Sequence, residues 1–124
     1  MAARSPLLWF RVKDKAGRQW SIYLSCREIS PELTVNAGIT WREERTILVN
    51  VEPDSFEQDD TVLHELMHAS LEDADLPAET EEYAVASSTP QLLHMLQKSV
   101  KLKWPKRPPG YNSLARYARR HILQ

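Results

Sequence analysis

His64-Glu65-Leu66-Met67-His68 sets two imidazoles four residues apart with a carboxylate between them. On a helix, residues four apart lie one turn apart on one face, so both rings can reach a single metal ion. Glu65 falls one step further round, within reach of a water on that metal. The grouping suits zinc-assisted hydrolysis of an amide bond, with Glu65 as general base. A catalytic zinc site takes three protein ligands and keeps one open position. The helix supplies two of them. The third and sixth positions beyond His68 hold Leu71 and Ala74 rather than glycine and histidine, so the third ligand is expected to be a later carboxylate. Glu81 and Glu82 are the candidates, 13 and 14 residues beyond His68. Glu81 is preferred, because it shares a helical face with Ala84, Val85, Ser88 and Leu92 and has small Ala84 beside it; Glu82 is the alternative and Glu79 is more remote.

The elements that must position these groups are legible in outline. Leu7 to Lys13 and Gln19 to Ser25 read as strands of a hairpin, turning at Lys13 to Arg18. Gly38 to Trp41 and Thr46 to Val51 read as a second pair, joined by Arg42-Glu43-Glu44-Arg45. The first part of the chain is thus expected to form a small, largely antiparallel sheet. Thr46 to Val51 is expected to be an edge along a cleft, open to an extended peptide. Ser55 with Gln58 three residues on forms a capping-box signal. The helix it opens carries Val62, Leu63, Leu66, Met67 and Leu71 at helical spacing and ends before Leu76-Pro77. A second helix is expected from Ala78 to Thr80 onward, kinked or restarted at Pro90. Lys103 to Gly110 reads as a stiff linker, and Asn112 to Leu123 as a short basic amphipathic helix. The fold class expected is α+β.

With 124 residues and 42% hydrophobic content, the chain suits one compact domain. The expected division is a domain over residues 1–100 and a basic tail over 101–124 that is not an independent domain. A single cysteine, Cys26, excludes an intramolecular disulfide and fits a reducing compartment. No apolar run is long enough to span a bilayer, and no secretory leader is evident, so a cytoplasmic protein is expected. The net charge of −1 conceals an asymmetry: residues 51–100 carry 12 acidic and 1 basic side chain, and residues 101–124 carry 7 basic and none acidic. An acidic middle suits a metal site. A basic tail suits an acidic partner, which includes the acidic middle itself or nucleic acid, though nucleic acid is not favoured.

A small sheet, His64-Glu65-x-x-His68 on a helix and a glutamate on the next helix resemble the gluzincin plan in reduced form. The chain resembles the minigluzincins and the small phage or prophage metallopeptidases related to the ImmA/IrrE group, over roughly Gly38 to Leu96. His64, Glu65 and His68 match the motif residue by residue, and Glu81 takes the place of the ligand glutamate. Val85 stands where many gluzincins carry aspartate. The resemblance implies a zincin-like fold, bound Zn2+, peptide-bond hydrolysis and a protein or peptide substrate in a bacterial or phage-infected cell. Tyr83, His94, Tyr111, Tyr117 and His121 are candidates for the donor that supports the scissile carbonyl oxygen. Cys26 is read as a small core residue, with capping of zinc as the alternative. Trp9, Trp20 and Trp41 are read as core, and Trp104 as a docking residue. Two other functions are open: a phage-derived regulatory or binding module with a structural or vestigial zinc site, and a latent enzyme whose basic tail lies across the acidic cleft.

Overall fold

The computed structural model describes residues 5–99 and 103–120. Strands β1 (Leu7–Lys13) and β2 (Gln19–Ser25) form the expected antiparallel hairpin. Its turn is built by Asp14, whose Oδ1 accepts the backbone N–H groups of Ala16 and Arg18, each at 3.0 Å. Gly17 completes it at φ +84°, a conformation that costs glycine little. After a 3-10 turn at Pro31–Thr34, β3 (Gly38–Trp41) and β4 (Thr46–Asn50) pair antiparallel.

The sheet order is β1-β2-β4-β3, and β2 and β4 run parallel. The sheet is therefore the small antiparallel-to-mixed one expected: two antiparallel pairs joined by one parallel pairing. β4 lies inside it, so the expected edge strand is central and β3 is the edge. The cause is visible in the residues: Ile47, Leu48 and Val49 are all buried, and consecutive strand positions face opposite sides. A strand apolar on both faces is stable only when both faces and both edges are covered.

Helix α1 (Ser55–Ser70) packs on β3 and β4. Its cap is Asp54, not Ser55: the Asp54 carboxylate accepts the Glu57 N–H at 2.9 Å. Gln58 is consequently free to turn inward. It is 0% exposed, donates to the Pro53 carbonyl at 2.8 Å and to the Tyr111 hydroxyl at 2.8 Å, and so meets its hydrogen-bonding demand inside the fold. Val62 and Ala69 on α1 join Trp20, Ile22, Leu24, Ile47, Val49 and Val51 in the core. Each aliphatic side chain of that set contributes about 1.5–3 kcal/mol by leaving water.

Helix α2 (Ala78–Ser99) runs through Pro90 as one element, so of the kink or restart expected there the restart does not occur. Proline removes the donor to the Ala86 carbonyl. Ala86 and Pro90 are exposed, so water can replace that bond, while the Thr89 hydroxyl donates to the Val85 carbonyl at 2.7 Å on the buried side. Among the described residues no helix is long and apolar enough to cross a membrane.

Helix α3 (Tyr111–Arg119) adds Leu114 and Ala118 to the same core, which therefore takes residues from both sides of position 100. Trp104 packs with Trp9 and Phe10. Arg119 donates to the carbonyls of Val51, Glu52 and Pro53 at 3.0, 2.8 and 2.7 Å, and Arg107 pairs with Asp59 at 3.1 Å. These cations of the basic segment fasten the connection from β4 into α1.

At Gly38 β3 and α1 approach too closely to admit a side chain. A methyl group there would lie 2.7 Å from Thr61 Cγ2 and 2.9 Å from Glu65 Cγ. Gly38→Ala must push α1 outward or displace Glu65. The expected cost is about 1–3 kcal/mol, read as a lower midpoint in thermal denaturation. An unchanged midpoint would refute the close packing of the two elements.

Candidate metal centre

The turn between α1 and α2 decides which carboxylates face the histidines. Residues Glu72–Ala74 form a 3-10 turn, and Asp75 adopts a left-handed conformation at φ +53° before Pro77 precedes α2. Arg18 from the β1–β2 turn grips Asp73 at 2.6 Å, and Arg45 from the β3–β4 turn reaches Glu72 at 3.4 Å. With the turn tied to the sheet, α2 lies back along α1.

His64 and His68 project from one face of α1, their ring centroids 5.0 Å apart. Both Nε2 atoms face Glu82 of α2: His64 at 3.3 Å from Oε1 and His68 at 2.8 Å from Oε2. One ligand atom from each of the three residues lies within 4.8 Å of the others. For a tetrahedral zinc with bonds of about 2.0–2.1 Å, neighbouring ligand atoms stand about 3.3 Å apart, so this donor set fits the ion.

Glu81 takes a different place. It is 7% exposed, and its Oε2 lies 2.6 Å from His68 Nδ1. Its Oε1 accepts from Arg42 Nη2 at 2.5 Å, and the same nitrogen donates to the His68 carbonyl at 3.0 Å. The Arg42 guanidinium, with help from His68, holds the Glu81 carboxyl below its usual range despite burial. An ionised carboxylate can only accept, so Glu81 favours the tautomer in which Nδ1–H of His68 donates to it and the Nε2 lone pair is directed at the cleft. A carboxyl whose pKa is depressed in the fold stabilises the fold above its unfolded value and loses that contribution as pH falls. Metal-free protein is therefore expected to lose thermal stability below about pH 4.5, and Glu81→Gln should flatten that acid limb. A limb of unchanged steepness in the variant would refute the assignment.

Glu65 is buried beside the histidines. The Thr40 hydroxyl donates to its Oε1 at 2.8 Å, while Oε2 lies 3.9 Å from His64 Nε2. Burial pushes the Glu65 carboxyl up, and the Thr40 bond and the two histidines oppose that shift. One oxygen is thus anchored, and the other is on the side of the imidazoles.

His64, Glu65, His68, Glu81 and Glu82 all line one cleft of about 790 Å3 between α1, α2 and β3. The other expected residues lie elsewhere. Cys26 is fully buried in the core, where burial raises its thiol pKa. Tyr111 bonds to Gln58, Tyr117 stacks under Arg120 at 4.1 Å, and Tyr83 and His94 are exposed away from the cleft. His121 lies outside the described residues. No residue of the described part of the basic segment, 103–120, lines the cleft. Sequence reasoning missed Gly38, Thr40 and Arg42. Their alternate spacing was the signal, since a strand continued by one residue presents all three to the same neighbour.

No protein-family model matches the chain, and no curated protein or solved structure shows significant similarity to it.

Proposed function

We propose that the chain is a zinc-dependent metallopeptidase on a reduced gluzincin plan. His64, His68 and Glu82 would hold the ion, Glu65 would act as general base, and Glu81 would orient His68. The observation that carries this reading is the convergence of three ligand atoms within 4.8 Å beside a buried carboxylate with one oxygen unanchored. A structural zinc site has no use for that carboxylate. The third ligand is assigned to Glu82 rather than Glu81, because Glu82 alone reaches both Nε2 atoms.

Zinc bound there would lower the pKa of a water to about 7 and polarise the scissile carbonyl. Glu65 Oε2 would take the proton of the attacking water and return it to the leaving nitrogen. Thr40 holds the carboxylate in one rotamer for both transfers. The substrate would lie extended along β3, whose outer edge borders the cleft.

The test is metal uptake joined to cleavage. The metal-free chain is expected to bind one zinc per chain, and the loaded chain to cut an unfolded protein in a manner abolished by chelation and restored by zinc. Failure to take up stoichiometric zinc ends the proposal.

A further inference from the structure

The cleft has a direction. Gly38 lies against Thr61, Thr40 bonds to Glu65, and Arg42 bonds to the His68 carbonyl, so β3 and α1 run side by side in the same sense. Arg42 and Glu81 close one end. Towards the other end Asp60, next to the Thr61 that meets Gly38, lines the cleft, as do Glu32 and Val35.

Among the described residues β3 pairs only with β4, so its second edge presents backbone donors and acceptors to the cleft. An extended peptide can add there as a further strand. Five carboxylates line the cleft against one guanidinium, and that guanidinium is bonded to Glu81. A divalent cation would offset only part of the excess negative charge. Glu65, Glu81 and Glu82 have places in the metal arrangement. Asp60 and Glu32 have none, and no described cation pairs with either carboxylate. Val35, which lines the same cleft, is 86% exposed. An apolar surface ending in carboxylates matches a side chain with an aliphatic stem and a cationic tip.

The spacing defines where that side chain would fall. Asp60 precedes His64 by four residues, just over one helical turn, or about 6 Å along the same face. An extended peptide advances about 3.3 Å per residue and repeats its side-chain direction every second residue. Two residues therefore span the turn between the metal ligands and Asp60.

Resting on the peptidase reading above, we propose that the cleft selects extended peptides with a lysine or arginine two residues from the scissile bond, held by Asp60 and Glu32. Two partly exposed charge pairs, each favouring the cation a few-fold over an anion, give an expected preference of about tenfold at low ionic strength.

The experiment uses the full chain carrying Glu65→Gln, loaded with zinc. Fluorescent peptides with one lysine, and the same peptides with glutamate or norleucine in its place, are titrated by anisotropy. The lysine peptide is expected to bind about tenfold more tightly than the glutamate peptide, with norleucine between them. Adding Asp60→Asn and Glu32→Gln should reduce the preference to about twofold. Adding Glu57→Gln and Glu79→Gln instead, an equal charge change outside the cleft, should leave it intact. Equal binding of the three peptides, a preference that survives the cleft variant, or one lost equally in the control would overturn the proposal. Products from the zinc-loaded wild type, analysed by mass spectrometry, should place the cut two residues from the lysine. A cut at any other fixed distance overturns the placement. Selective binding of the lysine peptide by a wild type that cuts nothing would sink the peptidase reading and leave the docking preference standing.

Discussion

Glu65→Gln is expected to abolish peptide cleavage while leaving zinc content unchanged. Glutamine keeps the shape of the side chain and an oxygen that can accept the Thr40 hydroxyl, so the local packing survives. It cannot accept a proton from water. General-base catalysis by a positioned carboxylate is worth about 10²–10⁴ in rate, and kcat/KM should fall by that factor. A second readout separates this from damage to the fold. Burial raises the folded-state pKa of Glu65, so its contribution favours folding at low pH and turns unfavourable as pH rises through that value. Removing the charge should therefore raise the thermal midpoint of the metal-free chain by a few degrees at neutral pH. Retention of wild-type cleavage by a correctly folded, zinc-loaded variant would dispose of the proposed mechanism.

The second large effect divides two neighbouring glutamates. Glu82→Ala removes an atom that faces both Nε2 nitrogens, and zinc affinity should fall by about a thousandfold in chelator competition. Glu81→Gln removes the charge behind His68 but no ligand, and should weaken zinc by about 10–100-fold. The two variants also differ without metal. Glu82 is 58% exposed on its side chain, so its loss leaves the fold almost untouched. Glu81 is buried against Arg42, and its neutralisation leaves that guanidinium without its counter-charge. Glu81→Gln should therefore lower the midpoint of the metal-free chain, whereas Glu82→Ala should not. A larger loss of zinc from the Glu81 variant would restore Glu81 as the ligand.

The choice between these glutamates marks the boundary of what sequence reasoning reaches. Spacing alone places His64 and His68 together, because both belong to one helix. Helical periodicity also marks Glu81 as the inward-facing carboxylate, and it is buried. Inward, however, leads past the cleft to Nδ1 of His68 rather than to the open side of the ring. Which side of the histidines α2 meets depends on how it rolls against α1. The turn that leads into α2 is held by Arg18 on Asp73 and Arg45 on Glu72, contacts between residues 27 to 55 positions apart that no local pattern reveals. The position of β4 was legible in principle. The unbroken apolar run Ile47-Leu48-Val49 marks a strand covered on both faces, and an edge strand would alternate. The basic segment was legible in part: Arg107 does pair with Asp59 of the acidic middle. Its cations are counted as charge in a sequence, yet Arg119 faces backbone carbonyls, which carry no formal charge to read.

Arg119 has a consequence for how the molecule comes into being. The carbonyls it gathers belong to the connection that delivers the chain into the histidine-bearing helix, and Leu114 and Ala118 share a core with Trp9 near the opposite end of the described chain. A nascent polypeptide therefore carries the histidine-bearing helix before Leu114, Ala118 and Arg119 are present to complete the core behind it. The core closes only once the chain beyond residue 118 has been made, although every residue that meets the two histidines in the cleft lies before position 83.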